Sequence, residues 1–196
     1  MSKIFYLMGK SASGKDTLFK KIKETMPELK EVCIYTTRPI REGEKNGREY
    51  FFTDEEGLRE WQQKGKVIEL RQYDTIHGIW NYFTVDDGQF DVEGEDLLMI
   101  GTLESYQKMQ SYFGKEKMVP LYIEVDDGER LDRALQRERR QDHPKYKEMC
   151  RRFLADAEDF SEEKLKEAGI TYRFLNDDVD KSSKEITEKI KGYENK

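Results

Sequence analysis

Nine consecutive residues near the start of the chain, Gly9-Lys10-Ser11-Ala12-Ser13-Gly14-Lys15-Asp16-Thr17, carry its strongest chemical signal. Glycines bound a turn whose backbone N–H groups can face inward as a nest for phosphate oxygens. Lys15 follows as a flexible point charge for the outer phosphates. Ile4-Phe5-Tyr6-Leu7-Met8 precedes the turn, and Leu18, Ile22 and Met26 recur every fourth residue after it. That order predicts strand, loop and helix, the setting of a phosphate-binding P-loop. A helix starting near Asp16 would add the positive end of its dipole. Gly9, Ser11, Ala12, Ser13, Gly14, Lys15, Asp16 and Thr17 are thus candidate nucleotide ligands. One position departs from the pattern. The residue after the lysine is usually a Ser or Thr that ligates magnesium, whereas here it is Asp16, followed by Thr17. Both are candidate metal ligands, since magnesium accepts carboxylate and other hard oxygens.

The polar stretch 36–50 is the second signal. Arg38 and Arg41 stand three apart, then come Glu44 and Tyr50. Each arginine can bind a phosphate monoester through two parallel bonds. Glu44 can hold an arginine in place, and Tyr50 can donate a hydroxyl. Alone, such a loop also has the composition of a solvated surface. Its position after the second strand of a P-loop fold favours a site.

The rest of the chain must position these groups. Its 196 residues allow one good core plus an insertion or two. Charged residues make up 39% and hydrophobic ones 36%, which suits a soluble domain with long solvated helices. The net charge of −6 gives no excess of positive charge for nucleic acid or an anionic membrane. Any anion site is therefore local. Cys33 and Cys150 are isolated and read as core or boundary thiols of a reducing, cytoplasmic compartment. The first residues run straight into a strand, with no signal peptide expected, and no apolar stretch approaches the ~20 residues of a membrane span.

Further strands are expected at Val32–Tyr35, Val67–Leu70, Trp80–Val85, Leu97–Ile100, Leu121–Val125 and Thr171–Leu175. Thr53-Asp54-Glu55-Glu56 reads as a capping box with Thr53 as N-cap. Helices are expected from about Glu104 to Phe113, after Asp126-Asp127-Gly128 with Leu131 and Leu135, and from Lys181 to about Lys191. A long one starts at Pro144, with an apolar stripe of Tyr146, Met149, Cys150, Phe153, Leu154, Ala157 and Phe160 that core packing would explain. The charged run 137–143 reads as mobile. Val85-Asp86-Asp87-Gly88 recurs as Val125-Asp126-Asp127-Gly128, which reads as turn chemistry arising twice by chance. His77 and His143 show no evident partner. Alternating strands and helices imply an α/β fold, a parallel sheet flanked by helices with a small mixed β insert.

Thr36-Thr37-Arg38, Arg41, Gly43-Glu44, Gly47 and Tyr50-Phe51-Phe52 resemble the nucleoside-monophosphate segment of guanylate kinases, with Pro39 one place early. The resemblance runs from about Ile4 to Ile190 and includes Val67-Ile68-Glu69 and Asn176-Asp177-Asp178. It implies a P-loop kinase of three parts: a core of 1–35, 95–126 and 153–196, a GMP-binding insert of 36–94 and a helical lid of 127–152. The implied reaction takes GMP and ATP to GDP and ADP with Mg²⁺. Arg38, Arg41, Tyr50 and Tyr82 would bind the GMP phosphate. Glu69 would accept from guanine N1 and the 2-amino group, and Thr84 would contact O6. Arg137, Arg140 and Arg152 would be lid arginines beside Lys15 at the transferring phosphoryl group, and Asn176 would lie near the adenine. The expected partners are small nucleotides, with no nucleic acid or membrane, for a monomer or homodimer.

The sequence departs from that family at Asp16, at Ile34 and Tyr35 where many members have serines, and along Tyr73–Thr84, which is longer than usual. It departs again at the family's D-x-D, where Met99 and Gly101 stand. A kinase of the same fold with another small acceptor is one alternative. A non-catalytic binding module is another, though it would have no use for Lys15, Arg38, Arg41 and Glu44 together.

Overall fold

The computed structural model describes residues 2–75, 78–90 and 94–194; His77 lies outside them. Five parallel strands form the central sheet, in the order β2 (Lys30–Glu31), β7 (Leu97–Gly101), β1 (Ile4–Gly9), β8 (Met118–Glu124), β9 (Arg173–Leu175). β1 is buried along its whole length. Side chains alternate across a strand, so Ile4, Tyr6 and Met8 enter one core and Phe5 and Leu7 the other. The second core is closed by α1 (Lys15–Thr25), through Leu18 and Ile22, and by α7 (Val179–Glu194), through Ile186 and Ile190. The first is closed by α3 (Leu103–Phe113), through Leu103, Tyr106 and Met109, and by Leu165 of the short α6 (Glu162–Glu167). Each fully buried Leu, Ile or Phe contributes about 1.5–3 kcal/mol by leaving water. These two layers fix the carboxyl end of β1, and so the loop that follows it.

A second, mixed sheet has the order β4 (Phe51–Phe52), β3 (Tyr35–Thr36), β6 (Gly78–Val85), β5 (Val67–Thr75). β5 and β6 pair antiparallel, with a register shift between Val67 and Glu69. Leu58 of α2 (Glu55–Gln63), Phe83 and Val85 form its own small core, against which Tyr35, Trp61, Val67 and Leu70 pack.

Several expected boundaries move, each for a local reason. The strand expected at Val32–Tyr35 splits: Lys30–Glu31 pairs with β7, and Tyr35–Thr36 joins the second sheet. Thr53 is not the cap of α2. Its N–H bonds Thr36 O at 3.0 Å and continues the sheet, while Asp54 Oδ1 accepts from Gly57 N at 2.8 Å. The run 137–143 is partly helical, because α4 (Asp127–Arg139) covers its first three residues, and Glu138 accepts from Lys145 N at 2.9 Å. Pro144 stands just outside α5 (Tyr146–Asp159), whose N-cap is Lys145. The stripe assigned to α5 is corrected too. Tyr146 and Leu154 are exposed, as is Cys150, and the half-buried face carries Met149, Phe153 and Asp156. α7 starts at Val179, earlier than expected, and α6 was not foreseen. The repeated Val-Asp-Asp-Gly does different work at each site. Asp126 caps α4, whereas Asp87 accepts from Tyr35 Oη at 2.8 Å.

Candidate active site

In the turn after β1 the Ser11 and Ser13 amides are already bonded, to Asp156 Oδ2 and Lys10 O. Gly14 adopts φ 82°, and a Cβ there would lie 2.5 Å from Asn176 Nδ2, so glycine alone fits. Ala12 also has positive φ, at 62°. α1 starts at Lys15 with no side chain bonded to its first turn, so those N–H groups remain for a ligand. Asp16 and Thr17 are exposed at that end. Beneath the loop, Asn176 is 1% exposed and donates from Nδ2 to Ser13 O at 2.7 Å. Ser13 Oγ and Asn176 Oδ1 are buried without a partner among the described residues.

α4 and α5 reach this loop from one side. Ser11 N donates to Asp156 Oδ2 at 2.7 Å, and Arg130 Nη1 donates to Ser11 O at 2.9 Å. Arg130 is fully buried, its guanidinium 4.6 Å from the Phe153 ring centre, with Nε donating to Asp127 Oδ1 at 3.0 Å. Arg152 Nη2 meets Ser11 Oγ at 3.3 Å. Burial lowers the Lys15 pKa; Asp16 and Asp156 oppose that fall, and Arg152 and Arg137 add to it. Lys15, Arg137 and Arg152 therefore share one electrostatic neighbourhood. A phosphate entering it would return to Lys15 the negative charge that burial denies it. Arg140 is exposed at the C-cap of α4, and among the described residues its side chain forms no hydrogen bond.

A second cluster lies in the mixed sheet and the loop before β4. Arg38, 3% exposed, donates from Nη1 to Glu44 Oε2 at 2.8 Å and from Nη2 to Oε1 at 2.6 Å. Glu44 also accepts from Arg41 N at 2.8 Å. These bonds, the Arg38 one first, hold the Glu44 carboxyl down at about 2. The Arg38 guanidinium faces the Tyr50 ring at 4.9 Å, and Tyr50 meets Tyr82 edge-on at 5.6 Å. The Arg41 side chain is exposed. Burial raises the Tyr50 pKa; Tyr82 raises it further, Arg38 lowers it and Asp16 raises it.

On β5, Glu69 is 3% exposed. The register shift in β5 pairs it with Thr84, whose Oγ1 donates to Glu69 Oε1 at 2.8 Å. Arg71 Nε donates to Glu69 Oε2 at 3.0 Å and Nη2 to Oε1 at 3.2 Å. Burial is the largest influence on the Arg71 pKa and lowers it, but Glu69, Tyr6 and Tyr73 together raise it above the ordinary value. Across from the pair, Tyr6 Oη and Ser105 Oγ are 2.7 Å apart, and burial pushes the tyrosine up to about 12.

The family model described as guanylate kinase matches residues 1–193. The chain belongs to the guanylate kinase family. Among curated members, the guanylate kinase of Wolbachia pipientis wMel is 29% identical over 188 residues, spanning 94% of this chain and 87% of that protein. The guanylate kinase of Wolbachia sp. subsp. Brugia malayi is 28% identical over 188 residues, with 94% and 89% covered. A crystal structure of guanylate kinase from Anaplasma phagocytophilum shares the fold, with a TM-score of 0.68 at 21% identity over 98% of this chain and 86% of that one.

Within the guanylate kinase frame, four residues of the site escaped sequence reasoning. Arg71 lies two residues beyond Glu69 on one strand, hence on the same face; that spacing of opposite charges on an inward face was the available signal. Asp156 follows Met149 and Phe153 at helical spacing, an acid on an apolar stripe. Arg130 sits one turn after Asp127, a common surface pairing that gave no hint of burial. Tyr6 looked like any core aromatic.

Proposed function

We propose that the protein is an ATP-dependent guanylate kinase that transfers the γ-phosphoryl group of ATP to GMP, giving GDP and ADP. One observation carries the reading: the same fold holds a glycine-bounded loop with Lys15 at the start of α1 and a second cluster in which Glu44 fixes Arg38 beside Tyr50 and Tyr82. Two anion sites facing across a gap are what transfer between two phosphates requires, because this chemistry rests on positioning and charge neutralisation.

In this reading Gly9 to Thr17 cradle the ATP phosphates and Lys15 binds their outer oxygens. Asn176 holds the floor of that cradle. Arg137 and Arg152 neutralise the transferring group; Arg140 joins them only if the end of α4 moves. Arg38, Arg41, Tyr50 and Tyr82 bind the GMP phosphate, with Glu44 fixing Arg38. Glu69 and Thr84 face the base. The segment 36–94 and the lid 127–152 would close over 1–35, 95–126 and 153–196 to exclude water.

Magnesium fits this donor set through Asp16. Among the described residues no group of three His, Cys, Asp or Glu side chains could cage a metal. Magnesium usually needs only one or two carboxylates plus substrate phosphates, and Asp16 is an exposed carboxylate at the loop, beside Thr17. When bound there, the ion would neutralise charge on the β- and γ-phosphates. Without it, Asp16 repels ATP. ATP affinity should therefore fall sharply in EDTA, and less so in Asp16→Ser; an equal fall in both proteins would remove Asp16 from the metal site. No helix of the described residues is long and apolar enough to cross a membrane, and we place the enzyme in the cytoplasm on its isolated thiols. A coupled ADP-release assay across GMP, dGMP, AMP, CMP, UMP and no acceptor tests the assignment. GMP should give the highest kcat/KM, and a faster rate with AMP or CMP would reject guanine as the base.

A further inference from the structure

Glu69 does not offer its whole carboxylate to a ligand. Oε1 accepts from Thr84 Oγ1 and Arg71 Nη2, and Oε2 accepts from Arg71 Nε. A carboxylate has about four lone-pair directions, so its own chain takes all but about one. A guanine that docked its N1–H and 2-amino group on a carboxylate would need two. Gly101 of β7 supplies no side-chain acceptor. A Cβ built on Gly101 would overlap the Tyr6 hydroxyl, which fills that space and is tied to Ser105. Meanwhile Arg71 Nη1 reaches Thr102 Oγ1 at 3.5 Å, the outer limit of hydrogen bonding, and the guanidinium also bonds Tyr73, which among the described residues leaves at least one of its five N–H groups for a ligand. Glu69 and Arg71 are 3% and 7% exposed, so a polar partner brought here in a closed site meets little competing water. Side by side, the two present one acceptor and one donor. Their complement is an N–H next to a carbonyl.

The geometry points to Arg71 as a base-reading residue that, with Glu69, selects 6-oxopurine nucleoside monophosphates by their N1–H and C6=O edge and is blind to the 2-amino group. Inosine monophosphate is then an acceptor alongside GMP. This rests on the reading of Glu69 as the carboxylate that faces the base. N1–H donates to the remaining lone pair of Glu69, and O6 accepts from Arg71. An adenine edge places an amino group against the guanidinium and an unprotonated N1 against the carboxylate, leaving both members of the pair unsatisfied. The transfer is unchanged: the bond from the γ-phosphorus to its bridging oxygen breaks, one forms to a 5′-phosphate oxygen of IMP, and ADP and IDP leave.

The test is kcat/KM for GMP, IMP and AMP at saturating ATP and Mg²⁺, in wild type and Arg71→Gln. Wild type should use IMP within about tenfold of GMP, since the missing amino group costs no hydrogen bond, and should discriminate against AMP by ~10⁴ or more. Arg71→Gln should lose about 10–100-fold with both GMP and IMP, with KM for ATP unchanged and the GMP:AMP ratio narrowed. An IMP efficiency ~100-fold or more below that of GMP would mean the 2-amino group is read, and would overturn the proposal. So would an Arg71→Gln protein that melts lower yet keeps the wild-type GMP:AMP ratio, the mark of a purely structural arginine. If Arg71→Gln does not fold, the wild-type comparison of acceptors decides alone. If no monophosphate elicits ADP release, the kinase reading falls. Calorimetric binding of GMP and IMP to wild type, expected within about tenfold of each other, still judges the pocket.

Discussion

Glu44 shows how much one residue's chemistry depends on its neighbours. Its carboxyl sits near 2 in the fold, against an ordinary value of 4.5, because Arg38 and the Arg41 amide bond the charged form. A carboxylate depressed on folding adds stability that is present above about pH 4.5 and lost as pH falls toward 2. Glu44→Gln should therefore flatten the acid limb of the stability curve between those values. Urea midpoints from pH 5 to pH 2.5 check this, and parallel curves for the two proteins would remove the pair from the account. Lys15 is the other residue with a sharp test. Lys15→Met should lower kcat by about 10³-fold or more, since it removes a preorganised charge from the transferring phosphate, while circular dichroism stays native. The Arg38–Glu44 pair was legible from residue types and spacing. Arg71 was legible only as a charge two residues from Glu69, because the pairing that buries both depends on the register shift in β5.

At the scale of elements, the sequence marked strands and helices wherever apolar runs were long. It failed where tertiary pairing decides. Thr53 and Asp54 can both cap α2, and the choice falls to Asp54 because the Thr53 amide is claimed by Thr36 O. Asp54→Ala should cost about 1 kcal/mol and Thr53→Ala clearly less, measured as shifts in denaturant midpoint. α5 shows the opposite failure. Its apolar residues suggested a core helix, yet it lies half-exposed over the P-loop with Asp156 on the inner face. That carboxylate holds the Ser11 amide in the loop proposed to cradle the ATP phosphates. Asp156→Asn should thus raise the affinity for ATP and lower the melting temperature of the ligand-free protein, as calorimetry and thermal melts would reveal. Tighter helix docking with weaker ATP binding would contradict this account of α5.

For the whole molecule, the parallel sheet and its two cores were legible because β1, β7 and β8 are continuous apolar runs covered on both faces. How the mixed sheet and α4–α5 stand over the carboxyl end of β1 was not, since it depends on long-range contacts such as Arg130 to Ser11. The proposed function needs two anion sites set against each other, and transfer between two nucleotides is its central claim. The most direct measurement incubates the protein with Mg²⁺ and ATP, GMP, or both, and quantifies every nucleotide chromatographically. GDP and ADP should appear together in equal amounts only when both substrates are present, with ATP alone giving almost no ADP. ADP without matching GDP, or no turnover with both, would contradict the account.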